Sequence, residues 1–462
     1  MLAAMPTPPE PPGRERGDAC PGALRLHAAD DGALARVRLP GGLLTDRQAS
    51  ALADAADDLG DTRLDLTSRG NVQLRGLADG CGAALGARLR EAGLLPSDRH
   101  DRIRNVAASP LSGLDGKGFS DILPWVRELD RLLCASDDLT DLSGRFLFGL
   151  DDGRGDITAL VPDVTLIATG DGRQALLCFG PGPDALRVAA QDAPRAAVLA
   201  AREFLAVLCE SGGKAWRVRE LAPGLRPSTE RLAARLAAAG IGSAPVPRAA
   251  LPLGSPPAPG AVQGPGGRWA VSVAAPLGRF SSAQWRLLAR TAGQDGDGEL
   301  RVTPWRGVVV PGLTAPVAAA RLAALADAGL VTSAASPWHG AGACTGRPGC
   351  VKSLADVRAD ATASLEAARP GSAGTLPVYW SGCERRCGHP GGRWVDVLAT
   401  GDGYRIAVRR EAEDETVTAP AVTTVTTAAD LADAVTAARD ARPDAHPDTH
   451  PTETTSPDGP RD

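Results

Sequence analysis

The spacing of apolar positions changes along the chain in the same order twice. From Ala33, ALARVRLPGG alternates apolar and polar residues and stops at Pro40-Gly41-Gly42, which predicts a strand closed by a turn. TDRQASALADAADDL then carries apolar positions at helical spacing behind Thr45, a good cap, and predicts an amphipathic helix. RWAVSVAAPLG from Arg268 and SSAQWRLLARTAG from Ser281 repeat that pair. RLDLTSRGNVQLRGL from Arg63 and ELRVTPWRGVVVPGL from Glu299 also match, with Thr67 on Thr303 and Gly76-Leu77 on Gly312-Leu313. Helical runs follow both, ALGARLREAGLL and RLAALADAGLV; then come VAASPLSG from Val106 and SAASPWHG from Ser333. DVTLIATGDG from Asp163 is echoed by VDVLATGDG from Val395. The constant order of the matches implies a duplication.

Read as one strand, the segment around Ser68 sends Thr67, Arg69, Asn71, Gln73 and Arg75 to one side and Leu66, Ser68, Val72 and Leu74 to the other. Such a polar side fits either a solvated antiparallel face or a binding surface. In the duplicate the same side carries Arg301, Thr303, Trp305, Gly307, Val309 and Pro311, so only one copy keeps the polar row. Arginine forks bind carboxylates through paired hydrogen bonds, and the intact row therefore reads as a surface for a ligand with several carboxylates. Arg36, Arg38, Arg104 and Arg145 lie at element ends in the same half and could converge on that ligand.

Composition narrows the class. The chain has 462 residues, 43% hydrophobic and 23% charged, enough for two to four domains. A net charge of −5 suggests neither a nucleic-acid nor a membrane footprint. Met1–Gly22 lacks an apolar signal region, so a cytoplasmic location is expected. In that reducing setting nine cysteines are not a disulfide framework. Cys20, Cys81, Cys134, Cys178 and Cys209 stand singly and read as small buried hydrophobes. Cys344, Cys350, Cys383 and Cys387 form C-x5-C and C-x3-C pairs, a spacing that suits a metal cluster held between two loops, an iron–sulfur cubane first. His446 and His450 fall in a Pro-, Asp- and Thr-rich tail read as solvated.

These motifs together resemble the nitrite/sulfite reductase superfamily from about Leu24 to Arg410. The resemblance implies an α+β, internally duplicated fold of two ferredoxin-like half-domains and two α/β modules, one of which carries a 4Fe-4S cluster beside a tetrapyrrole pocket. The implied layout is a disordered segment over 1–22, half-domain 1 over 23–100, module 1 over 101–244, a linker over 245–267, half-domain 2 over 268–332, the cluster module over 333–425, and a C-terminal helix with a disordered tail over 426–462. It makes Cys344, Cys350, Cys383 and Cys387 the cluster ligands. It assigns Arg69 and Gln73 to the tetrapyrrole carboxylates, beside Asn71 and Arg75 of the same polar row as further substrate-binding candidates, and Arg38, Arg104 and Arg145 to the catalytic side.

Arg145 matches the first lysine of a KxK element whose second basic position is here Leu147. That change disfavours a sulfite or nitrite pocket. The Cys387-Gly388-His389-Pro390 ending and the compact length resemble the superfamily's cobalamin-pathway branch. In that branch the tetrapyrrole is the substrate: precorrin-3A is hydroxylated at C20 with dioxygen and closed to a γ-lactone. The resemblance also implies a mononuclear non-haem iron, for which His389 is the nearest candidate ligand, and an external reductase or ferredoxin as electron donor. The alternative is a siroheme cofactor in a nitrite or sulfite reductase.

Overall fold

Half-domain 1 consists of β1 (His27–Ala29), β2 (Gly32–Val37), β3 (Leu43–Thr45), α1 (Asp46–Leu59), β4 (Arg63–Leu66), β5 (Val72–Leu77) and α2 (Gly82–Glu91). Module 1 follows with β6 (Val106–Ala108), α3 (Leu123–Cys134), β7 (Phe148–Asp151), β8 (Val164–Ala168), β9 (Gln174–Phe179), β10 (Asp184–Ala189), α4 (Ala193–Ser211), α5 (Thr229–Ala238) and β11 (Ser243–Pro247). Half-domain 2 has β12 (Gly260–Gln263), β13 (Trp269–Ala274), β14 (Arg279–Ser281), α6 (Ser282–Asp295), β15 (Glu299–Val302), β16 (Gly307–Leu313) and α7 (Ala315–Asp327). Module 2 has β17 (Ala341–Ala343), α8 (Val357–Ala367), β18 (Val378–Ser381), β19 (Arg393–Thr400), β20 (Gly403–Arg410) and α9 (Ala428–Arg439). This computed structural model describes Asp18 and residues 20–170, 172–248, 254–368, 374–410 and 428–440. The expected tail with His446 and His450, and most of the expected N-terminal segment, lie outside those residues.

The half-domains exchange strands. Their sheets run β1-β2-β5-β4-β14 and β12-β13-β16-β15-β3, so β14 completes the first sheet and β3 the second. Both exchanged strands lead into a helix closed by the same capping box, Thr45 with Gln48 and Ser281 with Gln284. Helices α1 and α6 pack together, and one continuous core includes Leu52, Leu64 and Leu74 of one half with Trp285, Leu288 and Val308 of the other. Trp285 is fully buried, meets Phe280 edge-on at 5.5 Å, and donates its Nε1–H to the Ala49 carbonyl at 3.0 Å.

The modules repeat a second pattern. In each, two parallel pairs are followed by an antiparallel one: β6-β7-β8-β9 in the first and β17-β18-β19-β20 in the second. Module 1 adds β10 and β11 at the edge. Among the described residues no helix is long and apolar enough to cross a membrane.

Four expectations need correction. The segment 63–77 is a hairpin and not one strand. Its turn is closed by Thr67 N–H to Asn71 O at 2.9 Å and Gly70 N–H to Thr67 O at 3.1 Å, with Gly70 at φ 70°. Period-two alternation continued through that turn by chance, because nothing in the polar run marks where pairing stops. Second, the ASP echo is not structural: strand register sets Val106–Ala108 on Ala341–Ala343, so SAASPWHG precedes the equivalent strand. Third, the expected linker 245–267 contains the end of β11 and all of β12, edge strands too short to show a period. Fourth, of the five single cysteines only Cys178 is buried, and Cys209 is exposed.

Replacing Trp285 with Ala removes the ring that joins the two half-domains. The expected loss is about 3–5 kcal/mol, read by denaturant unfolding of the full chain; a loss under about 1 kcal/mol would show that the halves do not share a core.

Candidate functional site

Two groups of side chains lie along one strand, β5. Gln73 and Arg75 share its polar side, roughly 7 Å apart at two residues' rise. Gln73 accepts from Arg36 at 3.0 Å, while Arg75 reaches the first cysteine loop, donating to the Gly349 carbonyl at 3.2 Å.

Around Gln73 the arginines converge. Arg38 is 2% exposed and donates to the carbonyls of Arg102, Pro21 and Gly144 at 3.3, 3.5 and 3.4 Å. Arg69, in the β4–β5 turn, donates to Arg145 O at 3.1 Å and Gly144 O at 3.5 Å. Cys20 Sγ lies 3.6 Å from Arg38 and 3.9 Å from Arg36. Asp18 holds this N-terminal stretch in place by accepting from Gly144 N, Ser143 Oγ and Arg102. Among the described residues none of Arg36, Arg38 and Arg69 has a carboxylate partner. Burial, followed by Arg217 and Arg38, pushes the Arg69 guanidinium down to about 9; burial and Arg38 push Arg36 down to about 10. Guanidinium stays charged at neutral pH, so the cluster is an unmet demand for anions.

Other predicted residues have different tasks. Asn71 is 1% exposed, accepts from Leu39 N at 3.0 Å and donates to Asn105 Oδ1 at 3.0 Å, which fixes the turn. Arg75 forms a two-pronged ion pair with Asp31 at 2.8 and 2.6 Å. Arg104 is committed to Asp130 at 2.6 and 2.8 Å and to Leu94 O at 3.0 Å. Arg145 is exposed, with its guanidinium 4.4 Å from the Trp216 ring centre. Leu147 is 2% exposed and packs with Ala107, Ile157 and Trp305. Asp18, Cys20 and the buried Arg217–Asp163 pair carried no sequence signal.

The cysteine loops leave the C-terminal ends of the parallel strands β17 and β18, a favoured place for ligands in such sheets. Gly382 N–H donates to Cys344 Sγ at 3.2 Å, and a Cβ on Gly382 would stand 1.9 Å from Ser353 Oγ, so only glycine fits there. Burial pushes the Cys344 thiol up, opposed by the Gly382 and Gly346 amides and reinforced by Cys387 and Cys383. Cys387 is exposed at its surface, yet partial burial raises its thiol too, opposed by Arg385 and reinforced by Cys383 and Cys350, so Cys383 and Cys387 act on Cys344, and Cys383 and Cys350 on Cys387. No three His, Cys, Asp or Glu among the described residues are close enough to hold a single ion.

Module 1 shows what this site is without thiols. Register places Ser109 on Cys344 and Asp152 on Gly382, and Asp152 N–H donates to Ser109 Oγ at 3.2 Å as Gly382 N–H does to Cys344. Asp151 gathers the amides of Gly153, Gly155, Ile157 and Thr158 at 2.9–3.1 Å. Its match in module 2 is Ser381, whose buried hydroxyl has no hydrogen-bond partner. A loop closed by a carboxylate in one module is left open to another anion in the other, and a thiolate-bound cluster fits that demand.

Among the described residues no set of three His, Cys, Asp or Glu, with or without His389, fits a mononuclear iron. His389 is hydrogen-bonded at Nδ1 to Pro390 O at 2.9 Å and stacked on Trp394 at 5.2 Å. It props the loop.

With this geometry in view, the chain matches the model of the nitrite/sulfite reductase ferredoxin-like half domain twice, at residues 27–92 and 262–328. It is thus a duplicated protein built on that half domain. More particularly, it is 27% identical over 406 residues to a precorrin-3B synthase of a Sinorhizobium species, covering 85% of this chain and 83% of that protein. It is also 28% identical over 413 residues to a ferredoxin–nitrite reductase of Synechococcus elongatus, covering 77% and 74%. The solved structure of the Mycobacterium tuberculosis NirA protein shares the fold at a TM-score of 0.67, with 19% identity over 87% of this chain and 79% of that one.

Burial, opposed by the Ser109 hydrogen bond, pushes Asp156 up to about 7. A raised folded-state value means that the folded chain binds the extra proton. Its contribution is therefore full below about pH 4 and is lost as pH rises through about 7. Asp156→Asn should remove that loss, raising stability at pH 8 relative to pH 5 by ~3 kcal/mol at most. Equal shifts at both pH values in thermal melts would contradict it.

Proposed function

We propose that the chain is a precorrin-3B synthase that hydroxylates precorrin-3A at C20 with dioxygen and forms the γ-lactone. The observation that carries this reading is the cluster of Arg36, Arg38 and Arg69 with no carboxylate partner among the described residues. A precorrin bears acetate and propionate groups around its rim, and such forks bind them in pairs. Arg36, Arg38, Arg69 and Gln73 bind and orient the macrocycle, and Arg145, exposed beside Trp216, extends the cationic rim. Arg104 and Asn71 hold the backbone beneath them, and Arg75 holds the first cysteine loop.

Cys344, Cys350, Cys383 and Cys387 would hold a 4Fe-4S cluster, which when bound supplies single electrons. One oxygen atom enters the substrate, and two electrons from an external reductase or ferredoxin, with two protons, take the other to water. Among the described residues no group of ligands for a separate iron is assembled.

The similarity to nitrite reductases favours a second reading, with siroheme as bound cofactor. Against it, a buried leucine stands at position 147, where the reductase element is basic. The absorption spectrum of anaerobically purified protein separates the two. An iron–sulfur shoulder alone, with conversion of added precorrin-3A under oxygen, supports the synthase; bound siroheme bands overturn it.

Arg69→Ala should weaken tetrapyrrole binding about tenfold to a hundredfold, the range for losing a charged hydrogen bond, while iron and sulfide content stay unchanged. Unaltered affinity in a titration would remove Arg69 from the site.

A further inference from the structure

The two cysteine loops are each gripped by one arginine, and each arginine comes from a different half-domain. Arg75 donates to the carbonyl of Gly349, the residue before Cys350; Arg306 donates to the carbonyl of Gly388, the residue after Cys387. The grips differ in charge. Arg75 is paired with Asp31, which also leaves no room for a side chain at Gly349, and the neighbouring Asp30 accepts from Val351 N. Arg306 has no carboxylate partner among the described residues and lies over the Tyr379 ring at 5.3 Å.

Its place is built for it. A Cβ on Gly278 would meet Arg306 Cδ at 2.5 Å, one on Gly342 would meet Arg306 Nη1 at 3.4 Å, and one on Gly388 would meet Nη2 at 3.4 Å. Gly278 thus clears the arm of Arg306, while Gly342 and Gly388 clear the Tyr379 side chain, which their Cβ atoms would meet at 2.9 Å, and border the guanidinium. Tyr379 donates its hydroxyl to the Cys387 carbonyl at 2.7 Å. Duplication sharpens the point: Arg306 occupies the turn position held by Gly70 in half-domain 1, and takes the same left-handed conformation at φ 60°. A residue with a side chain rarely adopts that backbone, so the arginine is kept there at a cost in strain.

We propose that Arg306 is a positioning residue for Cys387 whose uncompensated charge favours the reduced state of the bound cluster. Adding an electron adds a negative charge, and a half-buried guanidinium fixed over the Tyr379 ring and on the residue after Cys387 lowers the energy of that state. Arg75, neutralised by Asp31, holds its loop without this electrostatic effect. The inference rests on the cluster reading above but not on which tetrapyrrole is bound.

The test is an EPR-monitored redox titration of the full, cluster-loaded chain, with iron and sulfide assayed in parallel. Arg306→Gln should keep the cluster and lower the reduced-to-oxidised ratio at a fixed potential about tenfold, about 59 mV for a one-electron couple. Arg306→Lys, which keeps the charge, should restore most of it, whereas a purely structural arginine would not be replaced by lysine. An unchanged potential in Arg306→Gln overturns the proposal. If the Gln variant loses its cluster, the Lys variant decides: a wild-type potential supports the proposal and a tenfold fall overturns it. Wild-type protein that binds no iron or sulfide overturns the cluster reading and this inference with it.

Discussion

The exchange of β3 and β14 is the constraint on which the remaining structure depends. Each half-domain sheet ends on a strand that the other half supplies, so neither sheet is complete alone. The exchanged strands bring α1 and α6 together over a single core, and the Trp285–Ala49 hydrogen bond lies inside it. The hairpin turns at Thr67–Asn71 and Thr303–Gly307 are thereby held in fixed relation to the modules. One turn presents Arg69 to the Gly144–Arg145 backbone and the other presents Arg306 to Gly388.

Duplication has let equivalent positions take up different work. Ser109 and Cys344 accept the same backbone hydrogen bond, yet one closes an acidic loop with Asp156 and the other feels the thiols of Cys383 and Cys387. Asp151 satisfies four amides where Ser381 satisfies none. The half-domains diverged in the opposite sense. Half-domain 1 kept Arg36, Arg69 and Gln73, while half-domain 2 has Trp305 at the position of Arg69 and Arg306 at that of Gly70. Strand β5 connects the two chemistries, with Gln73 among the arginines and Arg75 against the Cys350 loop.

The duplication, the strand-helix order and the close spacing of the four cysteines were legible in the chain, because period and short separations are local properties. So was the cap at Thr45. The role of each arginine was not. Arg75 and Asn71, on one alternating face, and Arg104, at an element end, looked like ligand-binding residues, but Asp31, Asn105 and Asp130 engage them, partners that only packing brings near. His389 was drawn to the cluster by its nearness in sequence, and its ring is set by Pro390 and Trp394. Arg306 could have been found from the repeat alone, as an arginine where the other copy has a turn glycine.

Sequence by itself therefore determined the class of fold and which residues had chemistry to offer, since both follow from residue type and spacing. Tertiary structure decided which of those side chains are free to use it. A guanidinium or thiol makes its contribution through its neighbours' charge and burial, and those neighbours lie tens to hundreds of residues away: 106 separate Arg38 from Gly144, and 274 separate Arg75 from Gly349.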